Sequence, residues 1–272
     1  MPSPPDDATV KRLRRAHQHA AGLLSVEVEH AETWGWEGKS VSKPVAGNLW
    51  LRLASSRAEK AAGSSWDGPE MAEKAIPFGV PRPRLHTVHQ WIDGAFAYRA
   101  ELYDQFRGAP VSKGPLPPET LHLPDSWWAS LRSALAVVSV VPTARVAVRQ
   151  ERLRWAMPQF LGTDVNTDVP EWTTAHADIQ WSNLVGPELS ILDWERWGLA
   201  PLGYDEATLY ISSLAVPEVA KQVWKLFGSV LDSPAGRFSQ LVVASEYVQG
   251  MQRNNNLELE APLRELIARL LE

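Results

Sequence analysis

A chain of 272 residues is long enough for one large domain or two lobes and for a sizeable buried core. It is 44% hydrophobic and 22% charged, as globular proteins are, and its net charge of −5 argues against a nucleic-acid backbone as partner. The absence of cysteine excludes a disulfide framework, a thiolate metal site and a thiol nucleophile, and the lack of any long apolar run or hydrophobic signal core predicts a cytoplasmic protein without membrane association.

The Pro- and Ser-rich first residues are expected to be disordered. Asp6 or Asp7 then caps a predicted helix to Gly22, with Val10, Leu13, His17, Ala20 and Leu24 on one face. From Leu24 the period changes to two. Leu24, Val26 and Val28 alternate with Ser25, Glu27 and Glu29, which predicts a strand. Ser40 to Val45 reads as a second strand, Gly47-Asn48 as a turn, and Leu49, Leu51 and Leu53 as the core side of a third, with Trp50 and Arg52 on its other face. A helix follows from Trp66 to Ile76, with Pro69 in its first turn. Leu85 to Trp91 and Ala95 to Leu102, around Asp93-Gly94, read as two further strands. Beyond a Pro-rich linker over residues 113–124, Asp125 caps a helix with Trp128, Leu131, Leu135 and Val138 on one face. The stretch 143–161 is ambiguous, and its arginines Arg145, Arg149, Arg152 and Arg154 read either as substrate contacts or as surface. Asp205 is read as the N-cap of a helix through Ser213, with three more helices near 217–227, 237–252 and 262–271. Core packing accounts for most of the thirteen tryptophans.

One stretch carries chemistry. His176, Asp178 and Asn183 form an H-x-D-x-x-x-x-N pattern, and ten residues after Asn183 an apolar run ends in Asp193. The β-prone pieces Asn183-Leu184-Val185 and Ser190-Ile191-Leu192 flank the turn signal Gly186-Pro187-Glu188. Such a hairpin brings Asn183 and Asp193 side by side as two hard oxygen ligands, suited to Mg²⁺. Asp178, on the loop entering the hairpin, is left to reach a substrate hydroxyl.

These motifs, His176-Ala177-Asp178 through Asn183 and Ile191-Leu192-Asp193-Trp194, resemble the H-G-D-x-x-x-x-N and I-D-W/F of the aminoglycoside phosphotransferase family. Val80-Pro81-Arg82-Pro83-Arg84-Leu85 is similar to that family's V-P-x-P-x-L segment. The resemblance implies an α+β, two-lobed protein-kinase-like fold. A small antiparallel N-lobe (residues 1–103, with the leading helix) would precede a mainly helical C-lobe (residues 104–272) that carries the catalytic loop. It implies ATP and Mg²⁺ as cofactors, Asp178 as base, His176 bracing the loop, and Asn183 and Asp193 as metal ligands. The third strand of the family usually carries a phosphate-gripping lysine; here Arg52 stands there, with Lys43 on the neighbouring strand as the other candidate. Glu70, or else Glu73, would be the helical partner of that cation, and residues 101–103 the hinge. No Gly-rich phosphate loop is evident.

Three readings follow. The first is an ATP- and Mg²⁺-dependent transfer of a γ-phosphoryl group to the hydroxyl of a small molecule. The second is a degenerate kinase-like binding protein, for which Arg52 and the missing Gly loop speak. The third is a kinase of protein or peptide hydroxyls. The acidic residues Glu206, Glu218, Glu246, Glu258 and Glu260 would suit an amine-bearing ligand.

Overall fold

Antiparallel pairing organises the first part of the chain and helices the rest. The computed structural model describes residues 6–162 and 165–272, so the Pro-rich start expected to be disordered, residues 1–5, lies outside the described residues. The chain divides into two compact units, Met1–Lys74 with Arg82–Phe106 and Ala75–Pro81 with Arg107–Glu272. Residue 103, read from the sequence as the boundary, falls inside a strand of the first unit. Among the described residues no helix is long and apolar enough to cross a membrane.

In the first unit, helix α1 (Asp7–Leu23) starts at Asp6, whose carboxylate accepts from the Thr9 N–H. The strands are β1 (Thr33–Trp34), β2 (Ser40–Val45), β3 (Leu49–Arg57), β4 (Leu85–Asp93) and β5 (Phe96–Asp104), with α2 (Ser64–Ala75) between β3 and β4. They form one sheet in the order β1-β2-β3-β5-β4, antiparallel at every step. Gly47 and Asn48 take φ of +85° and +60° in the β2–β3 turn, a conformation in which Gly and Asn are the least strained residues. Period-two alternation puts Leu51, Leu53, Ala100 and Leu102 in a core with Leu13, Ala16 and Ala20 of α1.

The strand predicted over Leu24–Glu29 does not form as such. Val28 makes a single bridge to Val45, and the strand that pairs with β2 is β1. The reason is local: the chain leaves α1 through Ser25 at φ +53°, which no extended run tolerates. Leu24, Val26 and Val28 still pack against the core, so their alternation reports burial without a ladder.

The other face of the sheet is polar. Arg52 lies opposite Glu101, and Ala54 opposite Arg99. Glu101 is fully buried and accepts from Arg52 Nη1 at 2.8 Å, Arg99 Nε at 2.7 Å and the Tyr103 hydroxyl at 3.1 Å. Arg99 is itself buried and lies 3.7 Å from Glu70 of α2. One buried carboxylate is thus shared by two guanidinium groups.

The second unit contains β6 (Ala109–Pro110), α3 (Asp125–Ser139), α4 (Gln150–Leu161), β7 (Trp172–Ala175), β8 (Leu184–Gly186), β9 (Ser190–Ile191), β10 (Gly198–Pro201), α5 (Tyr204–Ser213), α6 (Pro217–Leu231), α7 (Pro234–Met251) and α8 (Glu260–Leu271). Helix α4 occupies most of the stretch that was ambiguous in sequence. Trp127, Trp128 and Trp181 pack together, with the Trp127 and Trp181 rings stacked at 6.4 Å. Trp127 Nε1 donates to the Val185 carbonyl at 2.7 Å and Trp181 Nε1 to Ser213 Oγ at 3.1 Å, so both indoles are buried with their polar atom satisfied. Trp36 and Trp155 are about half exposed, and Trp172 and Trp224 keep 37% of their surface exposed, so these four lie outside the core packing expected for most of the thirteen.

Removing the charge of Glu101 takes away the buried carboxylate that Arg52 and Arg99 share. Glu101→Gln is expected to lower stability by about 3–5 kcal/mol, the cost of breaking a buried pair from one side. Urea unfolding checks this, and a loss below about 1 kcal/mol would show that the arginines find other partners.

Candidate functional site

The H-x-D loop hangs from a helix. Asp205, in the first turn of α5, accepts from the backbone N–H of His176 at 2.7 Å and of Ala177 at 2.8 Å. The sequence reading of Asp205 as a helix N-cap is therefore corrected. Gly203, at φ +83°, is the residue before the helix, and the Asp205 carboxylate is spent on the loop. Ala177 needs that support because it sits at φ +62°, where a side chain is strained.

His176 ties the same loop to the hairpin. Its Nε2 lies 2.9 Å from the Leu192 carbonyl, which can only accept, so Nε2 carries the proton. The ring is fully buried edge-on against Trp194, with centroids 4.6 Å apart. Burial pushes the imidazole down to about 4, so it is neutral at physiological pH. It touches the loop and the hairpin and has no surface to offer a substrate.

Asp178 is half-buried. Gln180 Nε2 donates to its Oδ1 at 2.6 Å, and Asn183 Nδ2 donates to its Oδ2 at 3.1 Å and to its backbone carbonyl at 2.9 Å. Burial pushes the Asp178 carboxyl up, opposed by the charge of Arg196 and by the bonds from Gln180 and Asn183. With Asn183 Nδ2 turned to Asp178, Oδ1 is the end of that amide able to meet a cation.

The hairpin expected from the sequence forms, and its register sets Asn183 opposite Leu192, one residue before Asp193. Leu184 pairs with Ile191 and Val185 with Ser190, and the Leu192 N–H donates to the Asn183 carbonyl at 2.8 Å. Asp193 is the next residue, exposed and at φ +63°. Both sides of its turn are pinned. Trp194 Nε1 donates to the Ile191 carbonyl at 2.9 Å, and Arg145 donates to the carbonyls of Glu195 and Trp197 at 3.1 and 3.0 Å. Among the described residues no group of three or more His, Cys, Asp or Glu is placed to hold a metal. As hard oxygen donors, the Asn183 amide oxygen and the Asp193 carboxylate are of the chemical kind a divalent cation takes, with phosphate and water to complete its shell.

In the other unit, the candidates fall on different faces of one sheet. Lys43 pairs across the ladder with Leu51, on the α1 side, and lies 3.6 Å from Glu32. Arg52 is on the opposite face with Glu101. Glu70 contacts Lys74 at 2.8 Å and Arg99 at 3.7 Å, and Glu73 binds Arg82 and Arg84. Arg99 was not singled out from sequence, because only the register places a β5 residue beside α2. Nor were Gln180 and Arg196, whose importance lies in their proximity to Asp178.

Asp205 gives the site a pH signature. Burial first, then Glu206, push it up to about 7 against its two amide bonds. Between an unfolded value of about 3.9 and that folded value, the folded state holds the extra proton, so this group's contribution to stability falls as pH rises and levels off above about 7. Asp205→Asn has no such proton. The stability difference should move in the variant's favour by up to about 1.4 kcal/mol per pH unit across that window. Parallel curves for the two proteins in urea unfolding from pH 4 to about 8 would overturn the assignment.

No family model matches the chain, and no curated protein matches it in sequence. Solved structures do match. A thermostable mutant of aminoglycoside phosphotransferase APH(4)-Ia, in ternary complex with ADP and hygromycin B, is 13% identical with a TM-score of 0.62, over 93% of this chain and 97% of its own. Amicoumacin kinase hAmiN, in complex with AMP-PNP, Ca²⁺ and Ami, is 11% identical with a TM-score of 0.55, over 97% and 96%. Choline kinase LicA from Streptococcus pneumoniae is 9% identical with a TM-score of 0.53, over 95% and 98%. The antiparallel sheet followed by a helical region, matched over nearly the whole length of these proteins, is the protein-kinase-like fold in the form seen in aminoglycoside phosphotransferases.

Proposed function

We propose that this chain is an ATP- and Mg²⁺-dependent phosphotransferase that moves a γ-phosphoryl group to the hydroxyl of a small molecule. The observation that carries the proposal is the Asp178 carboxylate. It is held at 2.6 and 3.1 Å by Gln180 and Asn183 on a loop suspended from Asp205, beside a hairpin that delivers Asp193. Phosphoryl transfer asks the protein mainly for positioning and charge. Asp178 orients the incoming hydroxyl and accepts its proton late, and burial, by raising its pKa, suits it to a base. His176 acts through the loop backbone. Asn183 and Asp193 would hold Mg²⁺, which when bound neutralises charge on the phosphates. The proteins of similar fold include kinases of hygromycin B-binding type and of choline, which favours a small-molecule acceptor over a peptide.

Two substitutions test this. Asp178→Asn should keep nucleotide affinity within a few-fold and lower transfer on the order of 10²–10⁴. ATP consumption against a panel of amino alcohols and aminosugars, wild type beside variant, reads it. Asp193→Asn should remove Mg²⁺-dependent nucleotide binding, measured by calorimetry, while melting as wild type does; undiminished Mg·ATP binding would sink the metal assignment.

The degenerate reading is favoured by one specific observation, the engagement of Arg52 by the buried Glu101. It requires that wild type turn over no substrate and that Asp178→Asn leave ligand affinity unchanged. Failure of wild type to bind ATP with Mg²⁺ would defeat the kinase reading outright.

A further inference from the structure

A cleft of about 260 Å³ opens on the C-terminal unit where α5, α6, α7 and α8 meet. None of the residues assigned to phosphoryl transfer lines it. Its aromatic wall is Tyr210 and Trp224, with ring centroids 5.2 Å apart and planes inclined by 55°. Tyr210 is buried, whereas Trp224 keeps 37% of its surface exposed and so offers area for a further ring. Opposite in chemistry are Arg237, in the second half of the first turn of α7, and Arg269, in the last turn of α8. Among the described residues neither guanidinium has a carboxylate within 4.0 Å.

That charge stands out in a chain of net charge −5, where most partly buried arginines are paired. Asp232 is the single carboxylate among the lining residues, so two cations face one anion. The wall is also held rigidly. Gln240, almost fully buried, donates its amide to the carbonyls of Leu231 at 2.7 Å and Gly236 at 3.3 Å, which leaves Oε1 as an acceptor. Gly236 keeps the α6–α7 corner closed, since a Cβ there would lie 1.9 Å from the Val230 carbonyl oxygen.

We propose that this cleft binds a small aromatic anion, a single ring carrying one phosphate group. Two guanidinium forks match the oxygens of a phosphate. The exposed indole takes the ring by stacking. The volume of about 260 Å³ falls just below the roughly 300–1,000 Å³ of ligand clefts, which suits one ring and one acidic group and not a whole nucleotide.

Calorimetric titration of the full chain with phenyl phosphate, inorganic phosphate and phenol tests the site. Phenyl phosphate should bind saturably and at least about tenfold more tightly than either half of it, since ring and anion are recognised together. Arg237→Ala with Arg269→Ala should weaken it by about tenfold or more, as should Trp224→Ala. Arg269→Ala alone, at an exposed position, should still weaken it if the double variant fails to melt cooperatively. Asp178→Asn should leave the affinity unchanged. Absence of saturable binding to wild type, equal affinity for inorganic phosphate, undiminished binding in the arginine variants, or loss of binding in Asp178→Asn would each overturn the proposal.

Discussion

The site depends on one buried carboxylate and two backbone N–H groups. Asp205 takes the amides of His176 and Ala177 at 2.7 and 2.8 Å, and with them fixes the backbone on which Asp178 stands. The arrangement is costly on both sides. An almost fully buried carboxylate loses its hydration, which shows as its raised pKa, and Ala177 is held in the left-handed region at about 1–2 kcal/mol. Two charge-assisted bonds to backbone N–H groups offset that. The H-G-D pattern that this loop resembles has Gly where this chain has Ala177.

The constraint propagates. His176 is anchored at its backbone by Asp205 and at its ring by the Leu192 carbonyl, so the loop and the hairpin end move together. Neutrality of the ring is part of this: desolvation keeps the second proton off, and the remaining one is committed to Leu192. Beyond Asp193, Trp194 and Arg145 pin the chain through backbone carbonyls. Asp193 is therefore exposed on a turn whose flanks are fixed.

The sheet of the N-terminal unit separates two kinds of stabilisation by face. The side toward α1 is apolar, while the side bearing Arg52 is a chain of charges, Arg52 to Glu101 to Arg99 to Glu70. Losing one member of such a face is costly, because it leaves buried charge less well compensated. A guanidinium suits this better than an ammonium, since its planar fork spreads charge over several acceptors.

Local chemistry was legible in the sequence. The hairpin from Asn183 to Asp193 depends on alternation around a Gly-Pro turn, and α1, β2, β3, β4 and β5 on periodicity and turn residues, all short-range properties. The H-x-D-x-x-x-x-N spacing placed Asp178 and Asn183 on one loop for the same reason. Leu24–Glu29 misled because alternation records burial, and a ladder needs a partner and an unbroken extended backbone. What tertiary structure alone decided were contacts between residues far apart in the chain. Asp205 reaches back to His176, Arg145 forward to Trp197, and Arg99 from the sheet to Glu70 of α2. A carboxylate near a helix start is equally suited to capping its own helix or holding another loop. Its choice depends on which unsatisfied donors packing brings within 3 Å, and that is a property of the fold and not of local sequence.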